Sequence, residues 1–223
     1  MSELPPMNIL YENDAVLAVA KPEGVPTIPS LKGGRSALEI LSSERGIKLY
    51  VVHRLDKGVS GVLLFAKTLE SHRELNLKFQ NREVGKYYLA ILVGVPARAS
   101  GVMEKPLRQF GSGRTGVDME KGKPCRTEYE VLGENKGMAL VKVRLITGRR
   151  HQIRAHFYAE NCPVAGDTRY GDRAKQRAFS RMLLHSWRMQ AEISAGKLEI
   201  IAPPPQSFVE EARKAGLDVF LPA

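Results

Sequence analysis

The amino-acid sequence predicts an α+β protein with a mixed, largely antiparallel sheet and flanking helices. Short apolar and β-branched segments, which favour strands, outnumber segments with helical periodicity. Several neighbouring strand segments are separated by only a few turn-forming residues, as in β-hairpins, and no repeat with a period of roughly 20–50 residues is present. A chain of 223 residues buries about 70% of the surface that its unfolded form exposes. We therefore expect a single domain over residues 1–223, with its core at about 8–205.

The first half of the chain alternates strand and helix segments. Residues 8–20 predict two short strands joined by a polar turn. Ser36 is a suitable N-cap for a helix with the sequence ALEILSSER, which ends at Gly46. The segments VVHRLD and SGVLLFAKT predict a strand, a tight loop and a second strand. Thr68 then caps a helix that continues to about Asn81.

The second half begins with GKYYLAILVGVP, which predicts a buried strand. Residues 97–124 are rich in glycine and are expected to form a long, flexible insert. The segment RTEYEVLGENKGMALVKVRLITG predicts a hairpin. It leads into a helix from about Arg150 to Glu160, and a short amphipathic helix is expected at about 206–216.

Composition excludes several classes of protein. The only cysteines are Cys125 and Cys162, which excludes a disulfide scaffold and a multi-cysteine metal site and favours two buried free thiols. The N-terminal residues lack the basic and apolar regions of a secretory signal, and no apolar run approaches the ~18–20 residues that span a bilayer. We therefore expect a soluble, cytoplasmic protein.

The balance of charge favours an anionic partner. The sequence has 34 Lys and Arg against 24 Asp and Glu, a formal net charge of +10. Residues 135–159 contain six basic residues and no acidic one, and residues 171–190 contain five basic residues and one acidic one. A single basic run usually forms a solvated face, but two acid-poor regions in one half of the chain favour a polyanion such as nucleic acid. Charge alone does not distinguish RNA, DNA and membrane.

Asp56 is the first candidate for chemistry. It is the only acid in VVHRLDKGVSGVLLF, where apolar strands flank the loop that carries it, and Arg54 precedes it by two residues. A carboxylate between apolar segments is unfavourable unless it is paired, since burial disfavours its charged form. The alternative interpretation is a simple turn, because Asp before Lys-Gly is a common turn former.

A second candidate is the segment TGRRHQIRAH at residues 147–156. On a helix, Arg150 and Arg154 share a face, whereas His151 and His156 point about 140° apart, so a shared zinc site is not expected. Cationic and imidazole groups near a helix N-terminus suit phosphates or a buried carboxylate. Tyr88 is a further candidate, although a buried tyrosine is usually a core residue.

These segments together resemble the RluA family of pseudouridine synthases. HRLDKGVSGVLLFAKT is similar to the signature of that family, and the resemblance continues through KYYLAILVG, TGRRHQIRAHFYAENCPVAGDTRYG, LLHSWRM and EIIAPPP. It covers about residues 8–205, with Val59 at a position where the family usually has threonine. It implies the pseudouridine synthase catalytic fold, here without the S4-type domain that many relatives carry.

The resemblance also implies an activity and a set of catalytic residues. The family isomerises specific uridines in structured RNA, ribosomal or transfer RNA, to pseudouridine, and uses neither a metal nor an organic cofactor. We therefore expect RNA as the partner, with no metal and no membrane. Asp56 is implied to be the nucleophile. Tyr88 is implied to lie against the uracil as the base that removes a proton, and Arg154 to pair with Asp56. This fits the chemistry, because a nearby guanidinium lowers the pKa of a buried carboxyl group.

The remaining implied residues bind substrate. Arg54 is expected to enter the RNA stack where the uridine leaves it, and Leu184 to line the pocket. His53, Arg149 and His151 complete the set expected to contact the RNA.

Two other functions are compatible with parts of the sequence. A non-catalytic RNA-binding protein explains the net charge but gives no reason for an acid framed by apolar strands. A histidine-based RNA hydrolase would use His151 or His156. It would shorten the RNA, whereas isomerisation leaves its length and mass unchanged.

Overall fold

The computed structural model describes residues 7–29 and 34–222. Its residues form two compact units: Met1–Lys86 with Ser186–Pro203, and Tyr87–His185 with Pro204–Ala223. The single domain that the sequence predicts stays a prediction.

The elements of the first half are β1 (Ile9–Glu12), β2 (Val16–Lys21), α1 (Ala37–Arg45), β3 (Tyr50–Val51), β4 (Ser60–Ala66), α2 (Leu69–Gln80), β5 (Gly85–Val93) and β6 (Ser100–Met103). Those of the second half are β7 (Leu107–Gln109), β8 (Thr115–Val117), β9 (Thr127–Asn135), β10 (Met138–Leu145), α3 (Gln152–Ala159), α4 (Arg173–Gln176), β11 (Leu184–Ile193), β12 (Gly196–Ile201), α5 (Gln206–Lys214) and a 3₁₀ turn, Asp218–Phe220.

The first unit is built around β4, all seven residues of which are buried. β2 and β3 pair with β4, β1 pairs with β2, and β12 pairs with β11, all of them antiparallel. One face of this sheet contributes Val16, Val62 and Leu64 to an apolar core that includes Leu75 of α2. This core supports the loop between β3 and β4, which carries Asp56.

Capping confirms the two helices predicted in this unit. The Ser36 hydroxyl accepts a hydrogen bond from the N–H of Glu39, and α1 ends at Gly46 in the left-handed conformation (φ 62°). The Thr68 side chain accepts from the N–H of Ser71 at the start of α2. Both bonds satisfy amide groups that lack partners in the first turn of a helix.

The second unit has the antiparallel strand order β5-β10-β9-β6. β9 and β10 form the predicted hairpin. Lys136 and Gly137, at φ 50° and 74°, make its two-residue turn. Positive φ at both positions is the geometry of a type I′ turn, which suits the twist of paired strands. The α+β class with largely antiparallel pairing is confirmed.

The range predicted as a flexible insert contains regular structure. β6 pairs with β9, and β7 and β8 form a separate two-stranded hairpin. Leu107 and Cys125 pack against Ala155 of α3 and against Tyr170 in a small apolar cluster. Gly111 and Gly113 lie in the turn between β7 and β8, whereas Gly101 and Gly116 lie within β6 and β8. The flexibility of this range stays a prediction.

Two boundaries differ from those expected. β3 has only two residues, so the chain from Val52 to Val59 is mostly irregular rather than strand. α3 begins at Gln152, two residues later than expected, because His151 has a left-handed backbone (φ 52°). Within the described ranges, no helix is long and apolar enough to cross a bilayer.

Candidate active site

Asp56 lies at the start of a tight turn in the first unit. The N–H of Val59 donates to the carbonyl O of Asp56 at 3.0 Å, which closes the turn, and the N–H of Gly24 donates to the carbonyl O of Lys57 at 2.8 Å. The side chain of Asp56 is half-buried and that of Arg54 is exposed. The side chains of Arg54 and Asp56 therefore project from a backbone that is bonded to the loop containing Gly24. The bond that closes the turn uses the backbone N–H of Val59. The turn therefore does not need the hydroxyl of the threonine that the RluA family usually has at this position.

A buried lysine joins the same two loops. Lys21 is fully buried, and its Nζ donates to the carbonyl O atoms of Pro22 (2.7 Å), Val25 (2.8 Å) and Lys57 (3.5 Å). An ammonium has three donors, and burial is tolerated when they are satisfied. Lys21 thus ties the Pro22–Val25 loop to the Asp56 turn.

Thr27 holds the residue that precedes Asp56. Its buried Oγ1 donates to the carbonyl O of Leu55 at 2.9 Å and accepts from the N–H of Leu55 at 3.0 Å. Leu55 itself is buried. Both backbone groups of Leu55 are thereby fixed, which restricts the direction in which the Asp56 side chain leaves the loop.

His53 is held by contacts with neighbouring residues of the first unit. Its Nε2 accepts a hydrogen bond from the N–H of Leu64 at 2.9 Å, and its ring stacks on Phe79 with centroids 5.2 Å apart. Burial, and then the positive charge of Lys86, lower the pKa of His53 to about 3. The imidazole is therefore neutral, with Nδ1 protonated, so only Nδ1 is available to a ligand. Its expected contact with substrate stays a prediction.

Lys86 is an uncompensated cation beside His53. Its side chain is buried, and its Nζ lies 5.9 Å from the centroid of the Phe79 ring. Burial lowers the pKa of Lys86 to about 8. Within the described part of the chain, no carboxylate lies within ion-pair distance of this ammonium. Sequence reasoning did not identify Lys86 as a candidate.

In the second unit, Arg154 is held by a carboxylate that sequence reasoning missed. Its Nε donates to Oδ2 of Asp167 at 2.6 Å and its Nη2 donates to Oδ1 at 2.9 Å. The exposed fractions of the two side chains are 9% for Arg154 and 1% for Asp167. This bidentate pair fixes the plane of the guanidinium. The expected pairing of Arg154 with Asp56 stays a prediction.

The face of the Arg154 guanidinium lies against Tyr170. Its Cζ is 5.0 Å from the centroid of the fully buried Tyr170 ring. The Tyr170 hydroxyl accepts from the N–H of Thr115 in β8 at 2.8 Å and lies 2.9 Å from Nδ1 of His151. His151 and Arg154 therefore share Tyr170 as a neighbour. Asp167 and Tyr170 belong to GDTRYG, part of the region that carries the family resemblance.

Gln152 fixes the turn that leads into α3. Its Oε1 accepts from Oγ1 of Thr147 at 2.8 Å and from the N–H of Arg149 at 2.9 Å. Its Nε2 donates to the carbonyl O of Arg126 and to Oγ1 of Thr127. Arg149 is exposed, and its guanidinium lies 3.3 Å from the carbonyl O of Pro124. An exposed arginine on a fixed backbone suits phosphate, which is its expected partner.

Two predicted residues lie in buried strand positions. Tyr88 is buried in β5 opposite Val143 of β10, and Leu184 is buried at the start of β11. His185 is also buried, and its ring centroid lies 6.0 Å from that of Phe208 in α5. Burial is compatible with a base-lining role for Tyr88 and Leu184, and these roles stay predictions.

His156 lies in the interior. Its ring nitrogens lie 2.9 Å from Oγ1 of Thr127 and 3.0 Å from the carbonyl O of Lys105, and Nε2 is 3.3 Å from Sγ of Cys125. Burial lowers the pKa of His156 and raises that of Cys125. Both cysteines are free and buried, as predicted. In the described residues, no three His, Cys, Asp or Glu side chains are placed to hold a metal ion.

Comparison with known proteins identifies the family. Residues 15–159 match the family described as RNA pseudouridylate synthase. An uncharacterised RNA pseudouridine synthase of Zymomonas mobilis is 36% identical over 211 residues, which cover 91% of this chain and 95% of the relative. The dual-specificity RNA pseudouridine synthase RluA of Escherichia coli is 36% identical over 182 residues, or 80% of this chain and 83% of the relative.

Solved structures agree with this assignment. The human RNA pseudouridylate synthase domain containing 1 has a TM-score of 0.79 at 25% identity, covering 92% of this chain and 87% of that one. The human RNA pseudouridylate synthase domain containing 4 has a TM-score of 0.80 at 24% identity, over 94% and 93% of the two chains, and shows the shared fold. The chain belongs to the RluA family of RNA pseudouridine synthases, which isomerise uridines in RNA to pseudouridine.

Proposed function

We propose that Asp56 is the nucleophile of a cofactor-free isomerisation of uridines in structured RNA. In this reaction the bond between N1 of uracil and C1′ of the ribose breaks, the uracil turns, and C5 is joined to C1′. A carboxylate can take part only while it is ionised and correctly oriented. Asp56 would act by attack on C1′, by attack on C6 or by assisting the elimination of uracil.

One observation supports this proposal above the others. The Asp56 turn is tied at Leu55 by Thr27 and at Lys57 by Gly24 and Lys21. Catalytic groups need such support, because small errors in position are costly to the rate. A simple surface turn would not require a buried threonine and a buried ammonium to hold it.

Arg154 and Tyr88 are proposed to assist Asp56. The permanent positive charge of Arg154 would keep the Asp56 carboxylate ionised, a task that suits a guanidinium better than a lysine ammonium. Tyr88 would stack on the extruded uracil, an interaction worth about 1–3 kcal/mol per base, and remove a proton from the intermediate. Arg54 is exposed beside Asp56 and would replace the base in the RNA stack.

We propose ribosomal or transfer RNA as the substrate, bound in the cytoplasm. Relatives named as ribosomal large subunit pseudouridine synthase D, such as the one from Vibrio cholerae at 31% identity over 228 residues, favour ribosomal RNA. The net charge of +10 suits phosphate contacts. His53, Arg149, His151 and Leu184 are the proposed additional contacts to the RNA.

The decisive experiment replaces the carboxylate without changing its shape. We expect Asp56→Asn to abolish tritium release from cellular RNA labelled with 5-tritiated uridine, because isomerisation displaces the hydrogen on C5. Asp14→Asn, which changes an exposed acid in the β1–β2 turn, should retain the wild-type rate. The D56N protein should still bind the RNA, and RNA treated with wild-type enzyme should keep its mass. Release near the wild-type rate by D56N would remove Asp56 from the chemistry.

A further inference from the structure

The surroundings of Arg154 assign a role to a residue outside the proposed catalytic set. Two groups of the second unit contact this guanidinium: the Asp167 carboxylate on its edge and the Tyr170 ring on its face. Asp167 and Tyr170 come from one turn, in which the N–H of Tyr170 donates to the carbonyl O of Asp167 at 3.2 Å. A shift of this turn would therefore move both supports of Arg154 at once.

The turn that contains Asp167 and Tyr170 is attached to the β7–β8 hairpin. The N–H of Thr115 donates to the Tyr170 hydroxyl at 2.8 Å, and the same hydroxyl oxygen lies 2.9 Å from Nδ1 of His151. Arg114, the preceding residue of the hairpin, places its Cζ 5.0 Å from the centroid of the Tyr170 ring. Arg169 of the turn also donates to the carbonyl O of Gly113 at 3.0 Å. The hairpin thus contacts the turn through side chain and backbone alike.

We propose that Tyr170 is a positioning residue, whose hydroxyl anchors the ring that holds Arg154 to the β7–β8 hairpin. This inference rests on the proposed function, because it assumes that Arg154 acts in the reaction. A tyrosine is required for this arrangement. Phenylalanine would supply the face that stacks on the guanidinium, but only the hydroxyl can accept from β8 and reach His151.

The chain offers a matched control. Tyr158 lies under the same Arg114, with the Cζ 4.5 Å from its ring centroid. Tyr158 is 44% exposed, and its hydroxyl has no hydrogen-bond partner among the described residues. Tyr170→Phe and Tyr158→Phe therefore remove the same atom from two neighbouring rings, and only the first removes an anchor.

A double-mutant cycle with Arg154→Lys separates positioning from general stability. We expect Y170F to lower kcat about tenfold in the wild-type background, with less change in KM. In the R154K background it should lower kcat less than twofold, since the guanidinium that it positions is absent. Y158F should leave kcat unchanged in both backgrounds. An equal loss from Y170F in both backgrounds would contradict the proposal, because independent effects multiply.

A spectroscopic measurement covers the case in which R154K has no measurable turnover. The Nε–H of Arg154, bonded to Asp167, can be followed by NMR in protein labelled with ¹⁵N-arginine and assigned from the loss of its signal in R154K. We expect Y170F to shift this resonance, because the ring that lies on the guanidinium moves, and Y158F to leave it in place. An unchanged resonance in Y170F would overturn the inference. Neither measurement changes Asp56, so an active D56N enzyme would refute the proposed nucleophile without deciding the role of Tyr170.

Discussion

Thr27 and Leu55 form two hydrogen bonds through a single hydroxyl. Oγ1 of Thr27 donates to the carbonyl O of Leu55 at 2.9 Å and accepts from its N–H at 3.0 Å. The two residues are 28 positions apart in the chain, and both are buried. The Thr27 side chain thus satisfies the N–H and the C=O of Leu55, the residue before Asp56, in a segment without regular secondary structure.

Removing this hydroxyl should affect activity and stability together. Thr27→Val keeps the shape of the side chain but leaves a buried N–H and a buried C=O of Leu55 without this partner. We expect the free energy of unfolding to fall by about 2–4 kcal/mol, and kcat to fall as the Asp56 turn loosens. Urea denaturation and tritium release measure the two effects. Thr27→Ser retains the hydroxyl and should stay within about 1 kcal/mol of wild type; a T27V protein as stable and active as T27S would refute this role.

Asp167→Asn tests the buried pair with Arg154. Asparagine keeps the size of the side chain but removes the negative charge that the Arg154 guanidinium meets through two hydrogen bonds in a largely buried site. Breaking such a pair costs about 3 kcal/mol of unfolding free energy, which urea denaturation can measure. Asp172→Asn is the control, because Asp172 caps the exposed start of α4 and asparagine caps a helix equally well. Equal stability of the two variants would show that the Asp167 charge is not needed.

Lys86→Met should stabilise the protein. Methionine fills a similar volume against Phe79 without the cost of burying an ammonium. We expect the free energy of unfolding at pH 7 to rise by about 1–2 kcal/mol. The folded pKa of Lys86, about 8, lies below the unfolded value of 10.5. Between these two values the unfolded chain therefore binds a proton that the folded protein does not. The penalty is therefore complete below pH 8 and is lost as the pH rises towards 10.5.

The gain from K86M should accordingly be smaller at pH 9.5 than at pH 7. Lys78→Met is the matched control, because Lys78 pairs with Glu83 at 2.7 Å on the surface of the same unit. K78M should change stability little at either pH. A K86M protein that is less stable than wild type at pH 7 would show that the ammonium is not a burden to the fold.

His53 should contribute to unfolding in acid. Its folded pKa of about 3 lies below the unfolded value of 6.5, so between these values the unfolded chain binds a proton that the folded protein does not. Stability therefore decreases as the pH falls from 6.5 towards 3. Between pH 7 and pH 4.5, we expect wild type to lose about 2 kcal/mol more than His53→Gln, whose amide oxygen can still accept from Leu64. A wild-type protein that loses no more stability than His53→Gln over this pH range would contradict the prediction.

Local sequence signals predicted the elements that depend on few residues. Ser36 and Gly46 bound α1 as expected, because a cap and a left-handed glycine act within one turn of the helix. The start of α3 was placed too early for the opposite reason. His151 has a left-handed backbone beside Tyr170, and Gln152 bonds to residues of other segments. Such contacts do not appear in helical periodicity.

The supports of the candidate site were the least predictable part. Asp56 and Arg154 stand out through the family resemblance, but Asp167 is one acid in a glycine-containing segment where many turns would use it. Thr27 and Lys21 meet the Asp56 turn only because β2 and β4 are paired. Their roles depend on contacts that form only when the chain folds, so neither composition nor residue spacing identifies these two residues.

Gly61 and Gly196 provide a last test, since they share a backbone conformation but not their surroundings. Their φ angles are 110° and 115°, a region in which alanine is strained by about 1–3 kcal/mol. A Cβ on Gly196 would meet no atom within 4 Å, whereas one on Gly61 would overlap the backbone of Ser186 in β11. Gly196→Ala should therefore lower the free energy of unfolding by the strain alone. Gly61→Ala should lower it by more than about 4 kcal/mol or prevent folding, because a backbone atom cannot move aside as the end of a side chain can. Circular dichroism and urea denaturation of the two variants decide the point. Similar losses in both would mean that β4 and β11 tolerate a side chain between them, and that the close approach at Gly61 does not set the spacing of the strand that follows the Asp56 turn.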